Sequence, residues 1–139
     1  MLTSHLKEKS RLVCYTADQI HHVWDEVKPH IQRALDRGSN YTIENIYDGL
    51  RTTQMQLWVW RADEIEAALV TTIQERKGVK FCLYLALGGS KMSEWGEHMP
   101  IVETWAKENG CEEMRIYGRA GWARPFGFDI EYTKMSRKL

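Results

Sequence analysis

The chain has 139 residues, 43% of them apolar and six of them tryptophan, which suffices for one core and not for two, so a single domain is expected. Nineteen Lys and Arg balance nineteen Asp and Glu, which removes the overall field that steers a protein to nucleic acid or to anionic lipid. No apolar run reaches the ~18 residues of a membrane span, and three cysteines without C-x-x-C spacing argue against a disulfide framework or a zinc site, so a soluble chain in a reducing, cytoplasmic setting is expected.

Residues 1–10 are polar and read as a loosely packed lead-in. Leu12 to Tyr15 is a short strand, and Thr16 with Gln19 has the form of a capping box. Ile20, Val23, Trp24, Val27, Ile31, Ala34 and Leu35 then draw one apolar stripe along a helix that stops near Gly38. Pro29 should bend that helix, because it removes a hydrogen bond and crowds the carbonyl of Asp25. Thr42 caps a second helix with Ile43, Ile46, Tyr47 and Leu50 on one side.

From Met55 to Arg61 the pattern alternates, with Met55, Leu57 and Val59 on one face and Trp58 and Trp60 on the other. Ala62 and Asp63 turn the chain into a strand from Glu64 to Glu75. Lys77 and Gly78 turn it again into Val79 to Leu87, whose nearly unbroken apolar character marks a central strand buried on both faces. A helix follows from a Ser93 cap to Gly110 with Trp95, Met99, Val102, Trp105 and Ala106 inward and Pro100 inside it. Met114 to Gly118 is the next strand, Gly121 to Phe126 a short helix, and Ile130 to Ser136 the last strand. Trp24, Trp95 and Trp105 fit the helix stripes as core, and Cys14 and Cys82 read as small buried hydrophobes. If the first two helices cover one sheet face, the Trp58 and Trp60 face needs cover of its own, from the last strand and helix unit or from a partner subunit.

The expected order is β-α-α-β-β-β-α-β-α-β, an α/β chain of the α+β kind with a mixed sheet. Two parallel strands joined by a helix open a crevice at their C-terminal ends, where ligands of such sheets usually bind. His21 and His22 are adjacent on a helix and project about 100° apart, so no metal is expected there.

This order is similar to that of the GNAT superfamily of acyl-CoA N-acyltransferases, over nearly the whole chain from about residue 11. Gly110-Cys111, the run from Arg115 to Arg124, and Tyr132 to Lys134 also resemble small GNAT-like proteins of tailed bacteriophages. The resemblance implies splayed central strands, acetyl-CoA as co-substrate with its pantetheine arm in the gap, and transfer of an acetyl group to an amine of a small molecule or protein. Carried over to this chain, the pantetheine falls on Leu85, Ala86 and Leu87, and the pyrophosphate on Gly88, Gly89, Ser90, Lys91 and Gly96. Glu94 stands where the family has a glycine, and Ala123 where it has the tyrosine that protonates the leaving thiolate. Both departures also suit a phage structural or host-interaction protein that keeps the fold without the chemistry.

Acyl transfer needs a base, oxyanion donors and an acid. Glu66 and Glu64 beside the central strand and His98 on the following helix are the candidate bases, Tyr117 or Tyr132 the candidate acid, and a bulge near Leu85 to Leu87 a source of amide donors. Trp122 and Arg124 sit at the crevice mouth, Trp122 with Tyr117 against the acyl end. Arg115, Arg119 and Arg124 suit a phosphate or ordinary ion pairs with neighbouring carboxylates. The family's seventh strand is missing before Leu139, which points to a homodimer.

Overall fold

A computed structural model describes residues 11–36, 41–89, 96–116 and 137. In chain order its elements are β1 (Arg11–Tyr15), α1 (Ile20–Leu35), α2 (Ile43–Arg51), β2 (Met55–Arg61), β3 (Ile65–Arg76), β4 (Val79–Gly89), α3 (Met99–Glu108) and β5 (Glu113–Ile116). The strands form one sheet in the order β1-β2-β3-β4-β5. The first four are antiparallel neighbours, and β5 lies parallel to β4. This is the expected order as far as β5; the expected final helix and strand lie outside the described residues.

Helix starts follow the polar signals. The Thr42 hydroxyl accepts from the Asn45 amide at 3.1 Å while Asn45 Oδ1 accepts from the Thr42 amide at 3.0 Å, a reciprocal cap at the start of α2. Ahead of α1, a single 3-10 turn (Ala17–Gln19) carries the chain in, with Gln19 Oε1 accepting from the Thr16 amide at 3.0 Å. α1 runs on through Pro29 to Leu35. Pro100 is not inside its helix as the sequence suggested: the helix begins at Met99, so the proline occupies the first turn. Amides there have no intrahelical acceptor in any case, and the missing N–H costs nothing.

The sheet is packed on both faces. α1 and α2 lay Ile20, Val23, Val27, Ile31, Leu35, Ile46 and Leu50 against Leu57, Val59, Ala68, Val70 and Ala86. On the other face, Trp58, Trp60, Ala67, Leu69, Tyr84 and Leu87 meet Met99 and Val102 of α3, with Trp105 alongside. Each fully buried aliphatic or aromatic side chain contributes about 1.5–3 kcal/mol, so the two cores dominate the stability.

The tryptophan pair is therefore covered by α3, the helix that crosses from β4 to β5. Trp105 meets Trp58 edge-on at 5.3 Å, and His98 meets Trp60 edge-on at 3.9 Å. Trp24 and Trp105 are half-buried rather than core, Trp24 resting edge-on against Tyr47. Cys82 is buried as expected, whereas Cys14 is exposed because β1 is an edge strand. Among the described residues no helix is long and apolar enough to cross a membrane.

Candidate functional site

The C-terminal half of β4 is where the regular ladder breaks. Val70 of β3 pairs with Ala86, and the next residue, Thr71, pairs with Tyr84. Leu85 is thus an extra residue in β4, a bulge. Its effect is visible in which core each side chain joins. Tyr84 and Leu87 pack on the α3 side, while Leu85 and Ala86, although adjacent, both pack on the α1 and α2 side. An unbroken strand would alternate; the bulge resets the phase and aims two neighbouring side chains the same way.

Among the described residues, β4 has two partner strands over its first half. Phe81 to Tyr84 pair with Glu113 to Ile116 of β5, while Ala86 to Gly89 continue along β3. Among the described residues, β4 from Leu85 to Gly89 has one strand neighbour, and in a strand successive amides point alternately to either side. Hydrogen-bonding groups of this stretch therefore face a flank that β5 does not cover within those residues. α3 starts just beyond, after a turn from Gly96 to His98. Its first-turn amides carry the unpaired partial positive charge of a helix start.

Two glycines end β4, and the packing explains both. A Cβ on Gly88 would land on the carbonyl oxygen of His30, and 3.0 Å from its carbonyl carbon. α1 thus rests directly on the strand. A Cβ on Gly89 would land on the carbonyl oxygen of Glu66 and on Ala67 of β3.

No protein-family profile and no curated protein matches the sequence. Solved structures do. An aminoglycoside acetyltransferase from an uncultured soil metagenomic sample superposes with a TM-score of 0.70 at 10% identity, over 94% of this chain and 96% of that one. Glucosamine-6-phosphate N-acetyltransferase from Arabidopsis thaliana gives 0.65 at 11% identity, over 95% and 99%. Ribosomal-protein-alanine N-acetyltransferase from Brucella melitensis biovar Abortus 2308 gives 0.61 at 7%, over 94% and 99%. The chain has the GNAT acetyltransferase fold.

In GNAT terms the bulge near Leu85, raised from sequence only as a source of amide donors, is present, at Leu85 itself. Ala86, Leu87 and Gly88 are buried, and Gly89 is exposed at the strand end. Gly96 opens the turn before α3. Ser90, Lys91, Glu94, Tyr117, Trp122, Ala123, Arg124 and Tyr132 lie outside the described residues.

Of the candidate bases, Glu66 is half-buried on β3, next to Ala67, the partner of Gly89. A second irregularity, between Trp60 and Arg61 of β2, sets it apart from the β2 ladder. Glu64 is exposed in the preceding turn, its carbonyl accepting from the Ala62 amide at 3.1 Å. His98 is half-buried, on the opposite sheet face from Leu85, with its ring against Trp60. The structure brings Glu66 to the end of β4 and places His98 at the start of α3. Arg115 pairs with Glu113 at 2.9 Å and lies 4.0 Å over the Phe81 ring.

The His21 and His22 rings come within 3.9 Å of each other, closer than helix geometry alone suggests. Among the described residues no group of three ligand-type side chains could hold a metal ion.

Two features near the site had no sequence signal. His30 lies on the flank of α1, and its half-buried ring accepts from Arg33 at 2.9 Å. Its pKa is lowered, first by burial and then by Arg33, against the pull of Glu64. The ring is therefore neutral at physiological pH. Tyr84, beside the bulge, is buried with its hydroxyl 3.6 Å from Met99 Sδ, and burial raises its pKa, so it keeps its proton.

Proposed function

We propose that this chain is an acetyl-CoA-dependent N-acyltransferase. The observation that carries the reading is the bulge at Leu85, directly after the stretch in which β4 pairs in parallel with β5. Acetyl-CoA would supply an activated thioester carbonyl there. The residues present fit it: β4 from Leu85 to Gly89, with one strand neighbour among the described residues, offers backbone groups to the amides of a pantetheine arm, and the start of α3 offers amides to a pyrophosphate.

In this reading the amides at the bulge donate to the carbonyl oxygen as negative charge builds on it, which requires no polar side chain. Glu66 accepts the proton of the attacking amine, directly or through water. Tyr117 would protonate the departing thiolate, and Trp122 and Arg124 are carried over from the resemblance as ligand contacts. His98 holds Trp60 under the start of α3 and is the second candidate to accept the amine proton.

The acceptor is an amine whose class the fold does not select. Three neighbours on this scaffold are named for an aminoglycoside, a sugar phosphate and a ribosomal protein. The pattern from Gly110 to Lys134 is the support for a phage-encoded setting, and the edge strand β1 is the support for pairing with a second copy.

Thermal melting with CoA or acetyl-CoA tests the reading. Ligand at a hundredfold excess over Kd adds about 2.7 kcal/mol, a shift of several degrees. Gly96→Glu, which puts a carboxylate at the start of the turn, should abolish that shift. A second reading, a GNAT-fold protein without transfer chemistry, is favoured by Glu94 and Ala123. It predicts no shift with either ligand in the wild-type chain.

A further inference from the structure

We propose that Leu85 sets the length of the acyl group this chain accepts, an inference that rests on the acyl-CoA reading above. Between Phe81 and Gly88, Leu85 is the residue that is not fully buried, although both its neighbours are. Its isobutyl group thus has one open flank in a strand otherwise closed on both faces. The bulge turns that group to the α1 and α2 side together with Ala86.

The same residue carries the irregular backbone. A thioester carbonyl that accepts from the amides at the bulge has its own carbon chain beside the Leu85 side chain, because amide and side chain leave the same residue within a few bond lengths. An acetyl group ends after one methyl. Each further methylene of a longer acyl group must occupy the space the isobutyl group fills. Leu85→Ala removes three carbons, enough for the two extra methylenes of a butyryl group. Tyr84, on the other side of the strand, plays no part in this limit, because it faces Met99.

The test is calorimetric titration of CoA, acetyl-CoA and butyryl-CoA into the wild-type chain, Leu85→Ala and Leu85→Val, with melting curves to confirm folding. CoA and acetyl-CoA should bind wild type alike and butyryl-CoA at least ~10-fold more weakly, the usual scale of discrimination per methylene in a closed pocket. The readout is the ratio of butyryl-CoA to acetyl-CoA affinity within each variant, so that any change in CoA affinity itself cancels; Leu85→Ala should remove most of the difference and Leu85→Val part of it. If Leu85→Ala does not fold, the partial relief in Leu85→Val carries the test.

Equal binding of acetyl-CoA and butyryl-CoA by wild type, or discrimination unchanged in the folded variants while CoA still binds, overturns the role of Leu85 and leaves the acyltransferase reading standing. Failure of wild type to bind CoA at all overturns both.

Discussion

Gly88 is the point where the helix layer is pinned to the strand that carries the proposed site, and Gly88→Ala measures that contact. The added carbon would stand 3.0 Å from the carbonyl carbon of His30, and closer still to its oxygen. Unstrained carbon pairs keep about 3.5–4.0 Å. Both offending atoms are backbone in the body of α1, so no rotamer change relieves them, and the oxygen, the closer of the two, requires the helix to lift from β4 by about 1 Å or more. Overpacking costs about 1–3 kcal/mol, and two rigid partners put this case in the upper part, about 2–3 kcal/mol.

In a chain of 139 residues, 1 kcal/mol moves the melting midpoint by about 3–5 °C, so the expected drop is about 6–15 °C. Scanning calorimetry or circular dichroism melting reads it, and Gly88→Val should fall further. A drop of less than about 2 °C in Gly88→Ala would refute the claim that α1 rests on the strand backbone.

Two more predictions concern buried and titrating groups. Thr71 is fully buried, its hydroxyl accepting from Trp58 Nε1 at 3.0 Å and donating to Gln56 Oε1 at 2.9 Å. Thr71→Val keeps the shape but strands the indole N–H, so a loss of about 1–3 kcal/mol with a changed tryptophan signal in near-UV circular dichroism is expected, and denaturation curves identical to wild type would count against the network. His30 has its pKa held below that of free imidazole, so the unfolded chain takes up this proton at a higher pH than the folded one. Acidification from about pH 7 towards pH 5 therefore draws the chain towards unfolding through this ring. His30→Gln should show a shallower fall of melting temperature across that range; an equally steep fall would show that the ring is not held neutral.

Periodicity located β1 to β5 and the three helices, because each has a face that must be buried, and the cap signal marked the start of α2, whereas α3 begins at Met99 without a side-chain cap. The 3.6-residue stripe from Ile20 to Leu35 and the alternation from Met55 to Arg61 need no tertiary knowledge to read. The long apolar run into Gly88 likewise announced a strand covered on both sides. The parallel partnership of β4 and β5 followed from the intervening helix, since two strands separated by a crossover of that length run the same way.

What no local pattern contained was the position of the bulge. Leu-Tyr-Leu-Ala-Leu is uniformly apolar, so a shift of one residue leaves no mark on the sequence, and only the competing registers with Val70 and Thr71 decide that Leu85 is the extra residue. The same holds for Gly88, whose small size reads from sequence as a strand ending or a phosphate loop, whereas the close approach of α1 that also requires it is visible only in the fold. Pro100 read as a helix interior because the start of α3 depends on where the chain leaves the sheet. The chain's own chemistry therefore determined its elements and their faces, and tertiary packing decided where the ladder breaks, because register is a property of two strands together and belongs to neither alone.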